Sequence, residues 1–278
     1  MLVNLNDVLK QAQKEHYAVG LFNTTDSDML EAAISAAEEL NSPIVIGTAE
    51  VLLPHGELKL IAPGIVAAAK RAKVPVVVHY DHGLTFDRCI EALQLGFSSI
   101  MFDGSANDYD ENLRATAEIV KIAHSMGVSV EGEIGHVGNA DTNDGLETDM
   151  YTTPDEADAY VKATGVDALA VAIGTAHGAY KTKPRLDIGR LKEIRARIDT
   201  PLVLHGGSGL SDDDFRNTIA AGIAKVNIFT DLCCAGERAM KAGLDQGLSY
   251  LNIRNLKVDE IKEAVKTKMR LFGCAGKA

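Results

Sequence analysis

Eight short runs of aliphatic and β-branched residues alternate with longer segments of helical periodicity along this 278-residue chain. The runs lie at 17–22, 43–47, 75–80, 98–102, 128–133, 167–173, 201–205 and 225–229. Strands that alternate with helices are typical of β-α units on a parallel sheet. No linker, low-complexity tract or repeat interrupts the series, so the sequence predicts one α/β domain over residues 1–278.

The helical segments join each predicted strand to the next, at 28–40, 64–73, 86–95, 110–126, 155–164, 188–197 and 212–221. Thr85, Thr153 and Ser211 precede three of them and are predicted to cap their first turns. Glycines stand where three helices should end, at Gly127, Gly165 and Gly222. An amphipathic segment at 258–271 follows the last strand as an extra helix.

Eight β-α units in a chain of this length favour a single closed (β/α)8 TIM barrel with an extra C-terminal helix. A doubly wound open sheet is the alternative, because it also alternates strands with helices and binds its ligand where the strand order reverses. In a barrel, the C-terminal strand ends surround one central site.

Composition and charge exclude several classes of protein. The 28 Lys and Arg residues are outnumbered by 39 Asp and Glu residues, and the net charge of −11 would repel a nucleic-acid backbone. No apolar run approaches the ~20 residues that cross a bilayer, and the first residues lack a secretory signal pattern. We therefore expect no nucleic-acid or membrane partner, a cytoplasmic location and four reduced cysteines.

Three histidines follow different predicted strands, and together they indicate a metal site. His82, His177 and His205 can donate neutral ring nitrogens to one divalent metal and leave a coordination position open for a substrate. Any one of them alone would more often be structural. Asp103 and Glu133 end neighbouring strands, where they would form an accessory metal position or support the histidines.

Asp81 directly precedes the first of these histidines. Because adjacent side chains of a regular strand face opposite ways, Asp81 reaches the same substrate only if it lies at a frayed strand end. There it would be the natural acid or base. The alternative is a cap or an Asx turn with Gly83, and the spacing does not decide between the two. His79 is expected to be packed or to support the site.

The turn after the seventh strand, Gly-Gly-Ser-Gly at 206–209, exposes backbone amides, and Ser208 adds a hydroxyl. Loops after strands seven and eight of barrel enzymes often hold a phosphate. Asn227 and Thr230 supply further polar groups, and Lys181 in the loop after strand six would add a positive charge. These residues predict a phosphate pocket.

Seven blocks over nearly the whole chain resemble the class II, metal-dependent fructose-bisphosphate and tagatose-bisphosphate aldolase family, particularly its shorter tagatose-type branch. The blocks are Ala18-Val19-Gly20-Leu21-Phe22-Asn23, His79-Tyr80-Asp81-His82, Asp103-Gly104-Ser105, Glu131-Gly132-Glu133-Ile134-Gly135, Ala172-Ile173-Gly174-Thr175-Ala176-His177-Gly178, Val203-Leu204-His205-Gly206-Gly207-Ser208-Gly209 and Lys225-Val226-Asn227.

The resemblance implies a ketose-phosphate aldolase that joins dihydroxyacetone phosphate to an aldehyde and cleaves the product. It implies one catalytic Zn²⁺ held by His82, His177 and His205, and an accessory metal or monovalent cation is a further expectation. Asp81 would handle the hydroxyl proton at the cleaved bond, while Asp103 and Glu133 match an accessory metal position. The expected substrate-binding residues are Asn23, Gly178, Lys181, Gly206, Gly207, Ser208, Asn227 and Thr230.

Two departures from the family pattern affect the expected substrate. The loop after strand five reads Gly138-Asn139-Ala140-Asp141-Thr142, so that Asp141 replaces a glutamate linked to enolisation. Leu248-Ser249-Tyr250 stands where the family usually has an Asp-Pro-Arg whose arginine meets the distal phosphate, and Arg254 is near enough in sequence to compensate. Losing such a contact costs about 1.5–3 kcal/mol, so we expect an unphosphorylated or unusual aldehyde.

Three other functions are compatible with parts of this residue pattern. A Schiff-base aldolase is disfavoured because Lys181 and Lys183 lie in a loop and Lys225 begins its predicted strand. A metal-dependent barrel hydrolase would use similar histidines without needing a ketose-phosphate pocket. A non-catalytic subunit of an aldolase complex has no reason to keep a complete metal site. From the family we expect a homo-oligomer, and a companion subunit stays open.

Overall fold

The pairing of parallel strands closes a barrel in the computed structural model, which describes residues 1–135, 137–138, 151–178, 180 and 184–278. The strands are β1 (Leu2–Val3), β2 (Val19–Asn23), β3 (Ile44–Ala49), β4 (Val76–Gly83), β5 (Ser99–Phe102), β6 (Ser129–Ile134), β7 (Ala168–Val171), β8 (Leu202–Leu204) and β9 (Ile223–Ile228). The neighbour order β4-β3-β2-β9-β8-β7-β6-β5 returns to β4. The TIM-barrel prediction is therefore confirmed, and the open sheet is excluded.

Helices cover the outside of the ring. They are α1 (Leu5–Glu15), α2 (Ser27–Glu39), α3 (Leu58–Arg71), α4 (Phe86–Gln94), α5 (Tyr109–Ser125), α6 (Pro154–Thr164), α7 (Ile188–Arg197), α8 (Asp212–Ala220), α9 (Thr230–Asp245) and α10 (Tyr250–Phe272), with a 3₁₀ helix at Glu50–His55. Because helices pack on the strands from outside and side chains fill the interior, most strand residues are buried on both faces.

The eight predicted strands correspond to β2–β9, and the predicted helices correspond to α2–α8 and α10. The sequence analysis missed β1, α1, α9 and the 3₁₀ helix. A local signal for α1 was present, because Asn4 and Asp7 form a capping box at its start. Leu5 begins α1, and its backbone N–H donates to Ser129 at the start of β6. This helix also contacts β2 and β9, so it lies across the end of the barrel opposite the polar strand ends.

Two of the three predicted N-caps are present. Thr153 and Ser211 form capping boxes with Glu156 and Asp214. Thr85 occupies the N-cap position of α4 but makes no capping hydrogen bond, so that prediction was wrong. Its hydroxyl donates instead to the carboxylate of Glu50, 3.0 Å away.

The predicted C-terminal helix is longer than its amphipathic core suggested. α10 packs against α2 and α9, and its basic side chains pair with acidic residues of α2. All four cysteines are free thiols, as expected. No helix within the described ranges is both long and apolar enough to cross a membrane.

We expect Ser211→Ala to lower the free energy of unfolding by about 1 kcal/mol, because the first-turn amide of Asp214 loses its acceptor. The midpoint of thermal unfolding should fall by about 2–4 °C. Asn217→Ala, at an exposed position on the same helix, is the matched control and should not lower the midpoint, because alanine favours the helix. Equal midpoints for the two variants would show that the capping box contributes nothing to stability.

Candidate active site

The C-terminal strand ends surround a cavity of about 520 Å³. Its polar wall is formed by side chains from β2, β4, β9 and the loops after β5 and β7, namely Asn23, Asp81, His82, Asp103, His177 and Asn227. His205 lies beneath this wall and is fully buried. Closure of the ring thus brings together the three histidines that the sequence analysis selected.

Asp81 and His82 both face the site because the end of β4 is irregular. Asp81 keeps regular strand pairing with Ala49 on β3. His82 has a left-handed backbone (φ 42°), and the register between β4 and β5 shifts between Tyr80 and Gly83. Such a φ is uncommon outside glycine, and it turns an imidazole that would otherwise point outward. The expectation that Asp81 lies at an irregular strand end agrees with this shift, although Asp81 keeps its pairing with β3 and the left-handed backbone is at His82.

The three imidazoles are close enough to share one ion. Their candidate ligand nitrogens lie within 4.8 Å of one another. His82 Nδ1 is 2.7 Å from Asp103 Oδ2, while the buried His82 Nε2 finds no hydrogen-bond partner among the described residues. A carboxylate on one ring nitrogen and an unpartnered second nitrogen are the arrangement of a metal-ligating histidine. The donor set therefore fits a divalent metal.

Carboxylates control the protonation of these histidines. His205 Nδ1 is 2.7 Å from Glu133 Oε2, and its Nε2 is 2.8 Å from Glu131 Oε1. Burial opposes a charge on His205, but the two carboxylates outweigh it and raise its pKa to about 10. Burial likewise opposes a charge on His82, whose pKa is raised by Asp81 and Asp103. A metal ion would displace these protons, so metal affinity should fall as the pH falls.

His177 has the opposite environment. Burial, together with the neighbouring His82 and His205, lowers its pKa to about 3. It is therefore neutral over the physiological range, which is the form that a metal ligand requires.

Asp81 is held by two amides at the floor of the cavity. Asn227 Nδ2 donates to its Oδ1 at 2.9 Å, and Asn23 Nδ2 donates to its Oδ2 at 2.8 Å. Burial would favour the neutral acid, but His82, Lys225 and His205 outweigh it and hold the pKa of Asp81 well below its usual range. The carboxylate thus accepts from β2 and β9 across the barrel interior, which argues against the cap or Asx-turn interpretation.

The predicted phosphate residues form one side of the same cavity. Gly178, Gly206, Gly207, Ser208 and Thr230 all line it. The helix α9 begins at Thr230, so its N-terminal amides and dipole favour an anion here.

Two hydrogen-bonding groups shape this pocket. Ser208 Oγ accepts from Phe229 N and Asp231 N at 3.3 and 3.4 Å, and its hydroxyl hydrogen has no acceptor within the described ranges, so it can donate to a ligand. The Tyr180 hydroxyl accepts from Ala176 N and donates to the Gly206 carbonyl, both at 2.8 Å, and so ties the loops after β7 and β8 together. Gly206 has φ 64°, and a Cβ there would stand 2.4 Å from the Ala176 oxygen.

The other residues predicted to bind substrate or a phosphate are placed differently from one another. Asn23 and Asn227 line the cavity, but their amides are hydrogen-bonded to Asp81. Asp141 and Lys181 lie outside the described residues. Arg254 pairs with Asp28 at 2.8 Å and with Glu31, so α2 holds its guanidinium and it does not line the cavity. Compensation by Arg254 for the missing distal arginine is therefore not supported.

The wall opposite the phosphate side is apolar. Val51, Leu52, Leu84 and Ala106 line it, beside the hydroxyl of Ser105. Among the described residues, no lysine or arginine lines any part of this cavity.

Sequence reasoning missed three functional neighbours. Glu131 and Lys225 each stand two residues before a selected residue on the same strand, so strand alternation alone places them on the inner face. Lys225 does not begin its strand as predicted but is the third residue of β9. Glu50 accepts from Leu84 N at 2.8 Å and from Thr85 N at 3.2 Å, and no local pattern signals this contact between distant segments.

Comparisons with known proteins agree with this geometry. The family model described as fructose-bisphosphate aldolase class-II matches residues 3–277. The chain is 40% identical over 279 residues to an uncharacterized protein of Escherichia coli, YdjI, with full coverage of both. It is 36% identical to a fructose-bisphosphate aldolase of Thermus caldophilus, again with 100% of both covered.

Two further comparisons extend this result. The chain is 39% identical to a 6-phospho-5-dehydro-2-deoxy-D-gluconate aldolase of Halalkalibacterium halodurans, covering 100% of this chain and 98% of the relative. The crystal structure of the YdjI aldolase from Escherichia coli superposes with a TM-score of 0.92 at 38% identity, over 100% of both chains.

We expect Asp103→Ala to weaken Zn²⁺ binding by about 10- to 100-fold, because the imidazole of His82 loses the carboxylate that orients it. Competition with a chromophoric chelator measures the affinity. Asp110→Ala, an exposed carboxylate on α5, is the control and should bind Zn²⁺ like the unmodified protein. Unchanged affinity in Asp103→Ala would contradict the assigned contact.

Proposed function

The chain belongs to the class II fructose-bisphosphate aldolase family, and we propose that it reversibly cleaves and condenses dihydroxyacetone phosphate with an aldehyde. The observation that carries this proposal is the pairing of Asp81 with His82 on one wall of one cavity. An acid/base group and a metal ligand are thereby placed beside the same substrate. The tagatose-type branch stays a prediction.

His82, His177 and His205 would hold a single catalytic Zn²⁺, with Asp103 and Glu133 orienting two of the imidazoles. When bound, the ion supplies a positive charge that stabilises the enediolate left by carbon–carbon bond cleavage. His82, Asp103 and Glu133 also offer grouped ligand atoms, which agrees with the expected accessory metal position. A monovalent cation stays a prediction.

Asp81 is the acid/base group of the proposed reaction. In cleavage it accepts the proton of the hydroxyl on the carbon that becomes the aldehyde, and in condensation it returns that proton. Because the pKa of Asp81 lies below its usual range, the carboxylate is ionised at neutral pH and carries no proton of its own before cleavage. The electron pair of the broken bond passes to the dihydroxyacetone phosphate half, whose protonation we assign to Asp141.

The phosphate of dihydroxyacetone phosphate would bind at the start of α9. Gly178, Gly206 and Gly207 bring backbone close to it, while Ser208 and Thr230 contribute hydroxyls. Lys181 is assigned the neutralising charge by the sequence alone. Since Asn23 and Asn227 bind Asp81, their contribution to substrate binding is to orient the acid/base group.

The aldehyde end of the site supports an unphosphorylated partner. The described lining there carries the aliphatic side chains of Val51, Leu52 and Leu84, and Arg254 is neutralised by Asp28 and Glu31. Among the described residues, no lysine or arginine at that end would neutralise a second phosphate. We therefore propose that the aldehyde is uncharged at its distal end.

The proposal includes the remaining expectations from the sequence. We propose one aldolase domain over residues 1–278 in a cytoplasmic homo-oligomer, without nucleic-acid or membrane partners. A companion subunit stays open. A Schiff-base mechanism is further disfavoured because Lys225, although it points into the barrel, is fully buried beneath Asn227.

The purified protein should consume dihydroxyacetone phosphate in the presence of free aldehydes such as glyceraldehyde, and a chelator should abolish the reaction. Coupled reduction of the remaining ketone phosphate measures consumption. Glyceraldehyde 3-phosphate should react less efficiently. Product from the phosphorylated aldehyde alone would refute the uncharged-aldehyde proposal, while no product from any aldehyde would favour the hydrolase or the non-catalytic subunit.

Asp81→Asn should lower kcat for cleavage by about 10²- to 10⁴-fold, because an amide cannot accept the hydroxyl proton. Zn²⁺ stoichiometry, measured by atomic emission, should stay unchanged. Asp87→Asn, an exposed residue on α4, is the matched control with unchanged kcat. Activity of Asp81→Asn within a few-fold of the unmodified enzyme would remove Asp81 from the acid/base role.

A further inference from the structure

A fully buried lysine lies directly below the acid/base group. Lys225 has no solvent exposure, and its Nζ is 2.9 Å from Glu131 Oε2. The same ammonium donates to Asn227 Oδ1 at 2.7 Å. Fully buried lysines are rare unless paired, so this side chain has a specific task in the barrel interior.

The contact with Lys225 determines which way the Asn227 amide faces. An ammonium group has only hydrogen-bond donors, so Asn227 must present its oxygen to Lys225. The amide nitrogen is then turned toward Asp81, where Nδ2 donates to Oδ1 at 2.9 Å. If the amide were reversed, its oxygen would face the carboxylate, and both contacts would become repulsive.

The geometry points to Lys225 as a positioning residue that locks Asn227 as a donor and thereby fixes the carboxylate of Asp81 beside the substrate. This inference rests on the proposed acid/base role of Asp81. Asn23 supplies the second donor, so the carboxylate is held at both oxygens. Without the oriented amide of Asn227, Asp81 keeps one anchor and can rotate toward the imidazole of His82.

The position of Lys225 also argues against a second metal ion in this part of the barrel interior. His79, Asp81 and Glu131 offer three ligand atoms within 4.8 Å of one another. The ammonium of Lys225, however, already stands beside the Glu131 carboxylate and supplies the positive charge that a cation would bring. His79 Nδ1 contacts Ser99 Oγ at 2.7 Å, and its Nε2 faces Asp81 and Glu131 at 3.7 and 3.8 Å. Thus only the charge of Lys225 argues against a metal here. We therefore assign this cluster to positioning rather than to metal binding.

A double-mutant cycle between Lys225→Met and Asn227→Ala tests the inference, with kcat and KM measured at saturating Zn²⁺. Lys225→Met should lower kcat by about 10- to 100-fold and leave KM for dihydroxyacetone phosphate nearly unchanged. In the Asn227→Ala background the same substitution should have no further effect, because the group through which Lys225 acts is gone. If the kcat losses of the two single variants multiply in the double variant, the inference is overturned.

Controls separate this role from a general effect on folding. Lys257→Met removes a lysine that pairs with Asp26 and Asp28 away from the cavity, and it should leave kcat unchanged. If Lys225→Met does not fold because Glu131 keeps only its hydrogen bond with His205, the cycle is run in a Glu131→Gln background, where a neutral amide oxygen can still accept from His205. In that background too, Lys225→Met should cause no further loss of kcat once Asn227 is replaced by alanine. Losses of kcat that multiply would again overturn the inference.

A readout independent of activity distinguishes failure of this inference from failure of the proposed function. Hydrogen exchange of the Asn227 side-chain amide, followed by ¹⁵N NMR, should be slow in the unmodified protein and fast in Lys225→Met. An unmodified protein that is inactive toward every aldehyde but shows this difference would refute the aldolase proposal and keep the positioning role. Equal exchange in the two proteins would refute the positioning role.

Discussion

Pairing between β4 and β5 closes the parallel sheet into a ring, and the candidate site depends on that closure. In an open sheet the polar strand ends would lie along a line, with β4 and β8 far apart. In the ring, His82 from β4 and His205 from β8 come within 4.4 Å, measured between ring centres. The apolar inner faces of the surrounding helices pack on the ring and stabilise it, which allows its interior to hold charged groups.

Those interior charges form a continuous network with little access to water. Glu131 pairs with both Lys225 and His205, Glu133 pairs with His205, and Asp81 accepts from two asparagines. Burial makes each isolated charge unfavourable, so each group depends on its neighbours for its protonation state and its orientation. The chemical capacity of the site is therefore a property of the network as a whole.

The cavity divides into two chemically different halves. Backbone amides, hydroxyls and the N-terminus of α9 surround one end, where an anion is favoured. Aliphatic side chains such as Val51 and Leu84 border the other. Relatives named fructose-bisphosphate aldolase and 6-phospho-5-dehydro-2-deoxy-D-gluconate aldolase share the family with this chain.

Alternating strand and helix patterns determined the barrel, and residue types at the strand ends were enough to select the three histidines and Asp81. These signals are local, because each depends on residues within one β-α unit. The tertiary structure alone decided that His82, with its left-handed backbone, turns inward beside Asp81. It also decided that Lys225 and Asn227 of β9 hold a carboxylate on β4, 146 positions away from Asn227 in sequence. Contacts across the ring depend on strand register and closure, and no short stretch of sequence encodes either of them.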